Sequence, residues 1–319
     1  MQKTLSLCYP TYNRGWCIKK QIERLKQCPT EILEKIEILI SDNCSTDDTQ
    51  QIVEDAIANG FACRYIRNKE NLGMDGNFVN CFRKASGKYV WLLGDDDVII
   101  VESLCKVVEK LSEEKDYGLL HFEMNPKAGE PEFVEYSDDD KFCKKISYWF
   151  TFISGNISQT KYVKDIPFEK YMGSFFTLIP VYFASMHGEK KNLMVNLKIF
   201  DAGLDSKRNG GYNFFQVFVN NYLGLLRDFE GKGYIKNSTR KYLKKDLFLN
   251  FLIGFIDSLL IHKVKNNLKS DKGWSILFKS YWAEIYFYSF PFILLKRNLS
   301  LLYHKIIKFI FYMRQNYKV

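Results

Sequence analysis

Apolar and polar positions alternate in blocks along the first third of the chain. Leu5 to Tyr9 forms a short apolar run, and a turn follows at Pro10 to Arg14. Residues 16–27 carry a helical rhythm, and Ile36-Glu37-Ile38-Leu39-Ile40, rich in β-branched side chains, predicts a second strand. Ser41 to Asp47 reads as a turn before a helix over 49–59, which Asp47 or Thr46 is placed to cap. Phe61 to Arg67 reads as a third strand and Asn71-Leu72-Gly73 as a turn. Gly76 to Ala85 then reads as a helix closed by Gly87, and Tyr89 to Leu93 as a buried strand. Strands alternating with helices predict an α/β fold on a doubly wound, mostly parallel sheet.

The pattern is looser afterwards. A helix is expected over Val101 to Lys115 and a strand over Tyr117 to Met124, followed by a polar loop or hairpin insertion from Asn125 to Lys145. Phe150 to Ile157 is strand-like, Phe175 to Met186 helical, and Leu193 to Phe200 strand-like, before a glycine-rich turn at Asn209-Gly210-Gly211. Beyond residue 212 the rhythm is helical and aromatic. Its main apolar blocks are Leu247 to Ile261, Trp274 to Leu295 and Leu301 to Tyr312. Asp257, Glu284 and Pro291 interrupt these blocks well short of the roughly 20 apolar residues a membrane span needs. The expected division is a catalytic domain over 1–211 and a basic, aromatic helical extension over 212–319.

Charge sharpens that division. The net charge is +9, yet residues 231–319 alone carry +13 and the remainder −4. The eight cysteines are scattered singly, without the paired spacing of a zinc site, and read as buried apolar side chains in a reducing compartment. The N-terminus enters a strand-like run without the longer apolar stretch of a signal peptide, so a cytoplasmic location is expected.

Three polar clusters follow strands: Thr11 to Arg14 after the first, Ser41-Asp42-Asn43 after the second, and Gly94 to Asp97 after the fourth. In an open parallel sheet the carboxyl ends of the strands share one edge, where ligands bind, so these clusters are expected to converge. Asp95-Asp96-Asp97 leaves a buried strand directly, and carboxylates fixed in that way suit Mg²⁺ or Mn²⁺ bridging phosphate oxygens. Asp138-Asp139-Asp140 is as acidic but has no strand before it, and reads as a solvated loop.

Pro10-Thr11-Tyr12-Asn13-Arg14, Ser41-Asp42-Asn43-Cys44-Ser45-Thr46-Asp47-Asp48-Thr49, Asn71-Leu72-Gly73 and Leu93-Gly94-Asp95-Asp96-Asp97, in this order over residues 4–125, resemble glycosyltransferase family 2 with its GT-A nucleotide-binding fold. The resemblance implies a nucleotide-sugar donor bound by Pro10, Thr11, Tyr12, Arg14, Asp42, Arg67, Asn71, Gly73 and Asp95. It also implies Mn²⁺ or Mg²⁺ on Asp96, with Asp97 in support.

Two departures accompany it. Gly94 stands where the family often has an acid. The usual Glu-Asp pair before the acceptor-side helix is replaced by Met172-Gly173-Ser174. Candidates for a catalytic role are therefore Glu169, Ser174, Asp201 and Asp205, or else the sugar is transferred with retention and no such base. His187 and His121 are possible metal ligands, His187 the one kept as a candidate, although a lone histidine is usually structural. Thr151 to Ile157 followed by Gly173-Ser174 resembles a branch of O-antigen transferases that includes abequosyltransferase-like proteins. That branch implies a deoxysugar donor and an undecaprenyl-type lipid-linked oligosaccharide or other glycan acceptor.

Leu302, Tyr303, Ile306, Phe309, Ile310 and Met313 fall on one helical side and Lys305 and Lys308 on another, a pattern suited to an anionic membrane surface. The bland alternative is a helical subdomain packed on the core. A nucleotidyltransferase would also use a metal and a doubly wound sheet, but the turn after the first strand lacks a glycine-rich phosphate loop. A nucleic-acid or membrane-binding module finds support in the basic tail alone; the acidic N-terminal part argues against nucleic acid.

Overall fold

A computed structural model describes residues 2–201, 210–260, 267–270 and 272–299. Its first half is built from β1 (Leu5–Thr11), α1 (Gly15–Leu25), a short α2 (Thr30–Leu33), β2 (Ile36–Asp42), α3 (Thr49–Ala58), β3 (Arg64–Arg67), α4 (Gly73–Lys84), β4 (Tyr89–Leu92), β5 (Val98–Ile99) and α5 (Val101–Leu111). There follow β6 (Leu119–Phe122), β7 (Phe133–Tyr136), α6 (Asp139–Ile146), β8 (Asn156–Gln159), α7 (Ile179–Gly188), β9 (Asn192–Val195) and β10 (Phe200–Asp201). After residue 212 come α8 (Tyr222–Gly231), α9 (Asn237–Asp246), α10 (Ile253–Leu260) and α11 (Gly273–Tyr281).

The main sheet has the order β3-β2-β1-β4-β8-β6-β9-β7. The first four strands are parallel, β8 and β7 run against their neighbours, and β6 and β9 pair in parallel. The predicted doubly wound, mostly parallel sheet is present. Side chains alternate across it as the strand period requires. Leu5, Leu7 and Tyr9 face the core made with α1, α3 and α5, whereas Cys8 faces the core of α4, α6 and α7. Leu226, Leu243, Leu252 and Leu277, from the helices beyond residue 212, join that second core.

Several expectations need correction. The stretch 125–145 is not a loop: β7 forms the sheet edge against β9, and α6 follows it. Asp138 to Asp140 opens α6, where carboxylates meet the free N–H groups of the first turn; Asp138 accepts from Lys141 N at 3.0 Å. Residues 150–157 are mostly 3-10 turn, and the strand starts only at Asn156. Trp91 Nε1 donates to Ser154 O at 2.9 Å and holds this bend. The helix expected from Phe175 begins at Ile179, because Phe175 has φ 66° and Pro180 occupies the first turn. Gly87 does not cap α4: a Cβ there would come within 2.7 Å of Ser6 N, so glycine permits close approach to β1. Asp47 does hold a helix start, accepting from Thr49 N at 3.1 Å, and from Gly15 N of α1 at 3.0 Å.

No helix among the described residues is long and apolar enough to cross a membrane. The expected helix over 301–312 and the turn residue Asn209 lie outside the described residues.

Candidate active site

The parallel register places the strand ends side by side. Thr11 pairs with Asp42 across β1 and β2, and Asp42 with Arg67 across β2 and β3. Asp95 to Asp97 follows β4, the other neighbour of β1. Thr11 Oγ1 donates to Asp95 Oδ2 at 2.7 Å, and Arg14 Nη1 donates to Asp95 Oδ1 at 2.8 Å. Arg14 also lies 3.6 Å from Asp96 Oδ1. The clusters predicted to converge do converge.

The acidic turn is held from several sides. Gln21 Nε2 donates to Asp95 O at 3.1 Å and to Asp97 O at 2.7 Å. Ser154 Oγ donates to Asp97 Oδ2 at 2.6 Å and accepts from Gly94 N at 2.9 Å. A Cβ on Gly94 would stand 3.0 Å from Asp97 Oδ2 and 3.2 Å from Asp96 Oδ1, so the glycine makes room for carboxylates folded back over it.

All three aspartates are buried. Burial raises the Asp95 carboxyl against the opposing pull of Arg14 and Thr11, and pushes Asp97 up to about 6 against the pull of Ser154. Three crowded, desolvated carboxylates with one guanidinium form a site that gains from a further cation. The donors suit a hard divalent ion. Both Asp95 oxygens are engaged by Thr11 and Arg14, while among the described residues Asp96 has only the 3.6 Å approach of Arg14. Among the described residues no group of three or more His, Cys, Asp or Glu forms a self-sufficient metal site. Mg²⁺-type ions are commonly held by one or two carboxylates, with phosphate and water completing the shell.

Beside the cluster, Asp42 is fully buried and accepts from Ser45 N at 2.9 Å and Tyr65 Oη at 2.7 Å, with Arg67 Nε at 3.5 Å. Arg67 Nη2 also donates to Ser45 O at 2.8 Å. Asp42 thus orients Tyr65 and Arg67 at the rim, a role its sequence position did not disclose. Asn43 joins this wall to the next turn, donating to Asn71 Oδ1 at 2.8 Å and Gly73 O at 3.1 Å, and accepting from Leu72 N at 2.9 Å. Tyr12, next to Thr11, stays 44% exposed. Pro10 is the penultimate residue of β1 and buried.

Toward the loop before α7, Asp75 in the first turn of α4 accepts from Gly173 N at 2.8 Å, Phe175 N at 3.1 Å and Thr177 Oγ1 at 3.2 Å. Gly173 and Phe175 both have positive φ, so one carboxylate fixes a strained loop that carries Ser174. Asn221 Nδ2 donates to Ser174 O at 3.0 Å from the other flank. Asp201 pairs in register with Val98, the residue after Asp97, and is exposed beside Lys198.

The remaining candidates fare differently. Glu169 is exposed and pairs with Arg83 near the end of α4; Arg64 at the start of β3 donates to Lys84 O there, which marks the opposite sheet edge. His187 also belongs to that far edge: Ser185 accepts from Gln159 N, and Gln159 pairs with Tyr89 at the start of β4. His187 Nδ1 meets Asp139 at 2.7 Å, so the residue is corrected from metal ligand to partner of α6. His121 is buried inside the sheet on Asn156 Oδ1 at 2.9 Å. Asp205 lies outside the described residues.

Gln21, Ser154 and Asp75 were missed in the sequence. Gln21 left a trace, a polar side chain on the apolar face of α1 between Ile18 and Ile22. Ser154 and Asp75 left none, since their partners are 57 to 102 residues away.

Known proteins resemble the chain in the same region. The model of the family described as Glycosyl transferase family 2 matches residues 6–160. Abequosyltransferase RfbV of Salmonella typhimurium is 36% identical over 116 residues, which are 36% of this chain and 34% of that protein. The match thus spans about a third of that relative's length. A GalNAc(5)-diNAcBac-PP-undecaprenol beta-1,3-glucosyltransferase of Campylobacter jejuni is 23% identical over 293 residues, 89% of this chain and 82% of that one. Among solved structures, S. aureus TarS 1–349 superposes with a TM-score of 0.57 at 20% identity, covering 82% of this chain and 75% of that chain. The same fragment in complex with UDP-GlcNAc gives 0.54 at 19% identity, covering 82% and 76%.

Proposed function

The chain belongs to glycosyl transferase family 2 through its residues 6–160, and from that membership we propose that it moves a sugar from a nucleotide-sugar donor to a hydroxyl of a glycan acceptor. The observation that carries the proposal is the meeting of Thr11, Arg14 and Asp95 at the carboxyl edge of parallel strands, beside a less engaged Asp96.

In this reading the nucleoside lies along the ends of β1 to β3. Asp42 holds Arg67 and Tyr65 toward the base, Tyr12 offers its exposed ring, and Asn71 and Gly73 border the pocket. Pro10 and Thr11 form the cleft floor, and Asp95 receives the ribose. Asp96, supported by Asp97, would hold Mn²⁺ or Mg²⁺. Such an ion, when bound, offsets charge on the departing diphosphate. Arg14 pulls Asp95 toward its ionised form against burial and supplies further positive charge at the donor phosphates.

The acceptor lies on the side of Ser174 and Asp201. Asp201 and Ser174 are the candidates proposed for orienting the attacking hydroxyl, and front-face retention without a base is the alternative. Similarity to the abequosyltransferase supports a deoxysugar donor. The undecaprenol-linked substrate in the name of the Campylobacter relative supports a lipid-linked oligosaccharide acceptor at an anionic membrane surface, reached from the cytoplasmic side.

The test is Asp96→Ala. With Mn²⁺, a matching nucleoside diphosphate is expected to raise the melting temperature of the wild type, as a ligand specific for the native state does. The variant should keep its circular dichroism, lose that shift, and lose transfer by roughly a hundredfold or more. Metal-dependent transfer that survives in folded Asp96→Ala overturns the assignment.

A further inference from the structure

Helices α8, α9 and α11 enclose a cavity of about 300 Å³, lined by residues outside the matched family region. Arg227, Arg240, Lys244 and Lys279 line it over a floor that includes Leu223 and Leu226. Arg240 is paired with Glu230 at 2.5 Å and Lys244 with Glu284 at 2.6 Å. Arg227 and Lys279 are exposed and have no acidic or hydrogen-bonding partner among the described residues. Four cations against two carboxylates leave an uncompensated double positive charge in a concave, partly apolar site. Phosphate is an anion that such guanidinium and ammonium donors recognise.

The same helix that brings Lys279 also carries a row of uncovered apolar side chains. Trp274, Phe278 and Trp282 are each half exposed, and Ile285 and Phe292 on the following turns are 91% and 74% exposed. Trp282 stands one helical turn from Lys279, so cation and ring share a face. Large apolar side chains grouped in this way mark an interaction surface. Tryptophan beside unpaired lysine and arginine suits the polar–apolar boundary of a lipid layer, where rings sit at headgroup depth and basic pockets take the headgroup.

We propose that this cavity binds the phosphate headgroup of an anionic membrane lipid, with the Trp274–Phe292 ridge seated among the acyl chains beside it. The inference deepens the membrane-surface part of the reading above and rests on it for its purpose, while its geometry is independent of the donor site. It centres attachment on residues 223–292, where the sequence pattern sets Tyr281, Trp282 and Phe287 beside the amphipathic stretch Leu302 to Met313.

The test is flotation of the full-length protein, at low salt, with vesicles of phosphatidylcholine alone and of phosphatidylcholine doped with phosphatidylglycerol. The wild type is expected to float with the doped vesicles. Arg227→Ala/Lys279→Ala should bind them roughly fivefold more weakly for each cation removed, and Trp274→Ser/Trp282→Ser should float less with unchanged urea unfolding. Both pairs leave the sequence of residues 300–319 unchanged, and membrane binding that persists undiminished in the Arg227→Ala/Lys279→Ala protein overturns the proposal. So does stabilisation by inorganic phosphate with no binding to the doped vesicles, which would make the ligand a free ion, or loss of the exposed ridge to a dimer seen by light scattering. No sugar transfer is read, so failure here leaves the donor site standing, and failure of the Asp96→Ala test leaves this site standing.

Discussion

Arg14 Nη1 lies 2.8 Å from Asp95 Oδ1 and 3.6 Å from Asp96 Oδ1, so one guanidinium serves two of three crowded carboxylates. The Arg14 and Asp95 side chains are only 16% and 5% exposed. Removing one partner from such a pair leaves the other desolvated and unpaired, which costs about 3 kcal/mol. Arg14→Ala is therefore expected to lower stability by roughly that amount and to weaken donor binding. In a double-mutant cycle by urea unfolding, Arg14→Ala/Asp95→Ala should be markedly more stable than the sum of the single effects predicts. Additive losses would mean that the pair is not coupled. Asp96→Ala, by contrast, should leave unfolding nearly unchanged, because among the described residues it has only the 3.6 Å approach of Arg14.

Asp75 yields a prediction of a different kind. Its carboxylate accepts from two backbone N–H groups and one hydroxyl across about 100 residues of chain, in a loop where Phe175 is held at φ 66°. Both N–H groups meet Oδ2 and the Thr177 hydroxyl meets Oδ1, so Asp75→Ala removes every acceptor at once. The expected loss is about 1–3 kcal/mol, with a raised KM for acceptor and a donor-induced thermal shift close to wild type. A variant that loses donor and acceptor affinity equally would place Asp75 in general folding and not in the acceptor wall.

The contrast between Asp95 and Asp75 shows how far the sequence was legible. Asp95 follows a buried apolar strand, and strand, turn and carboxylates all lie within ten residues, so position and chemistry were readable together. The same local logic located the first four strands and the convergence of Thr11, Asp42 and Asp95. Asp75 sits in an ordinary polar helix turn, and its partners depend on how a distant loop crosses α4. Segment 150–157 misled for a related reason. Its apolar composition suits a strand, but Ser154 is pulled into a turn by Trp91 and Asp97, and neither tertiary contact is written locally. Asp42 was legible as a site residue but not as a fully buried carboxylate that works through Tyr65 and Arg67.

Asp138 to Asp140, expected to be solvated, is a three-way anchor. Asp138 caps α6; Asp139 takes His187 and donates nothing, while accepting from Asn192 Nδ2 at 2.9 Å; Asp140 accepts from Thr239 Oγ1 and pairs with Lys236 at 2.8 Å. Asp140 thus ties the start of α6 to the start of α9. Asp138→Ala is expected to cost about 1 kcal/mol as a lost cap. Asp140→Ala should cost about 1–3 kcal/mol, because Thr239 is buried and loses its acceptor. Hydrogen exchange should then rise in α9 for Asp140→Ala and not for Asp138→Ala. Equal, negligible losses in both variants would restore the solvated-loop reading.

His121 sets a pH dependence apart from the active site. It is buried between strands with Nδ1 on Asn156 Oδ1 at 2.9 Å, and burial holds its imidazolium form down, to a pKa of about 4, against the opposing effect of that hydrogen bond. In the unfolded chain the group titrates near its ordinary value of about 6.5. Between these values the unfolded chain takes up a proton that the folded chain refuses, so the protein loses stability as pH falls through this window. The contribution is complete above about 6.5 and exhausted below about 4, and its size is roughly 3 kcal/mol for a shift of this extent. His121→Gln removes the titration while keeping a polar side chain opposite Asn156. The variant should start less stable at neutral pH and then lose stability more slowly than wild type on acidification. The check is the difference between the two unfolding free energies, measured by urea at stepped pH. Carboxylates common to both proteins cancel in that difference, so parallel curves between pH 6.5 and 4 would show that His121 already carries its proton in the fold.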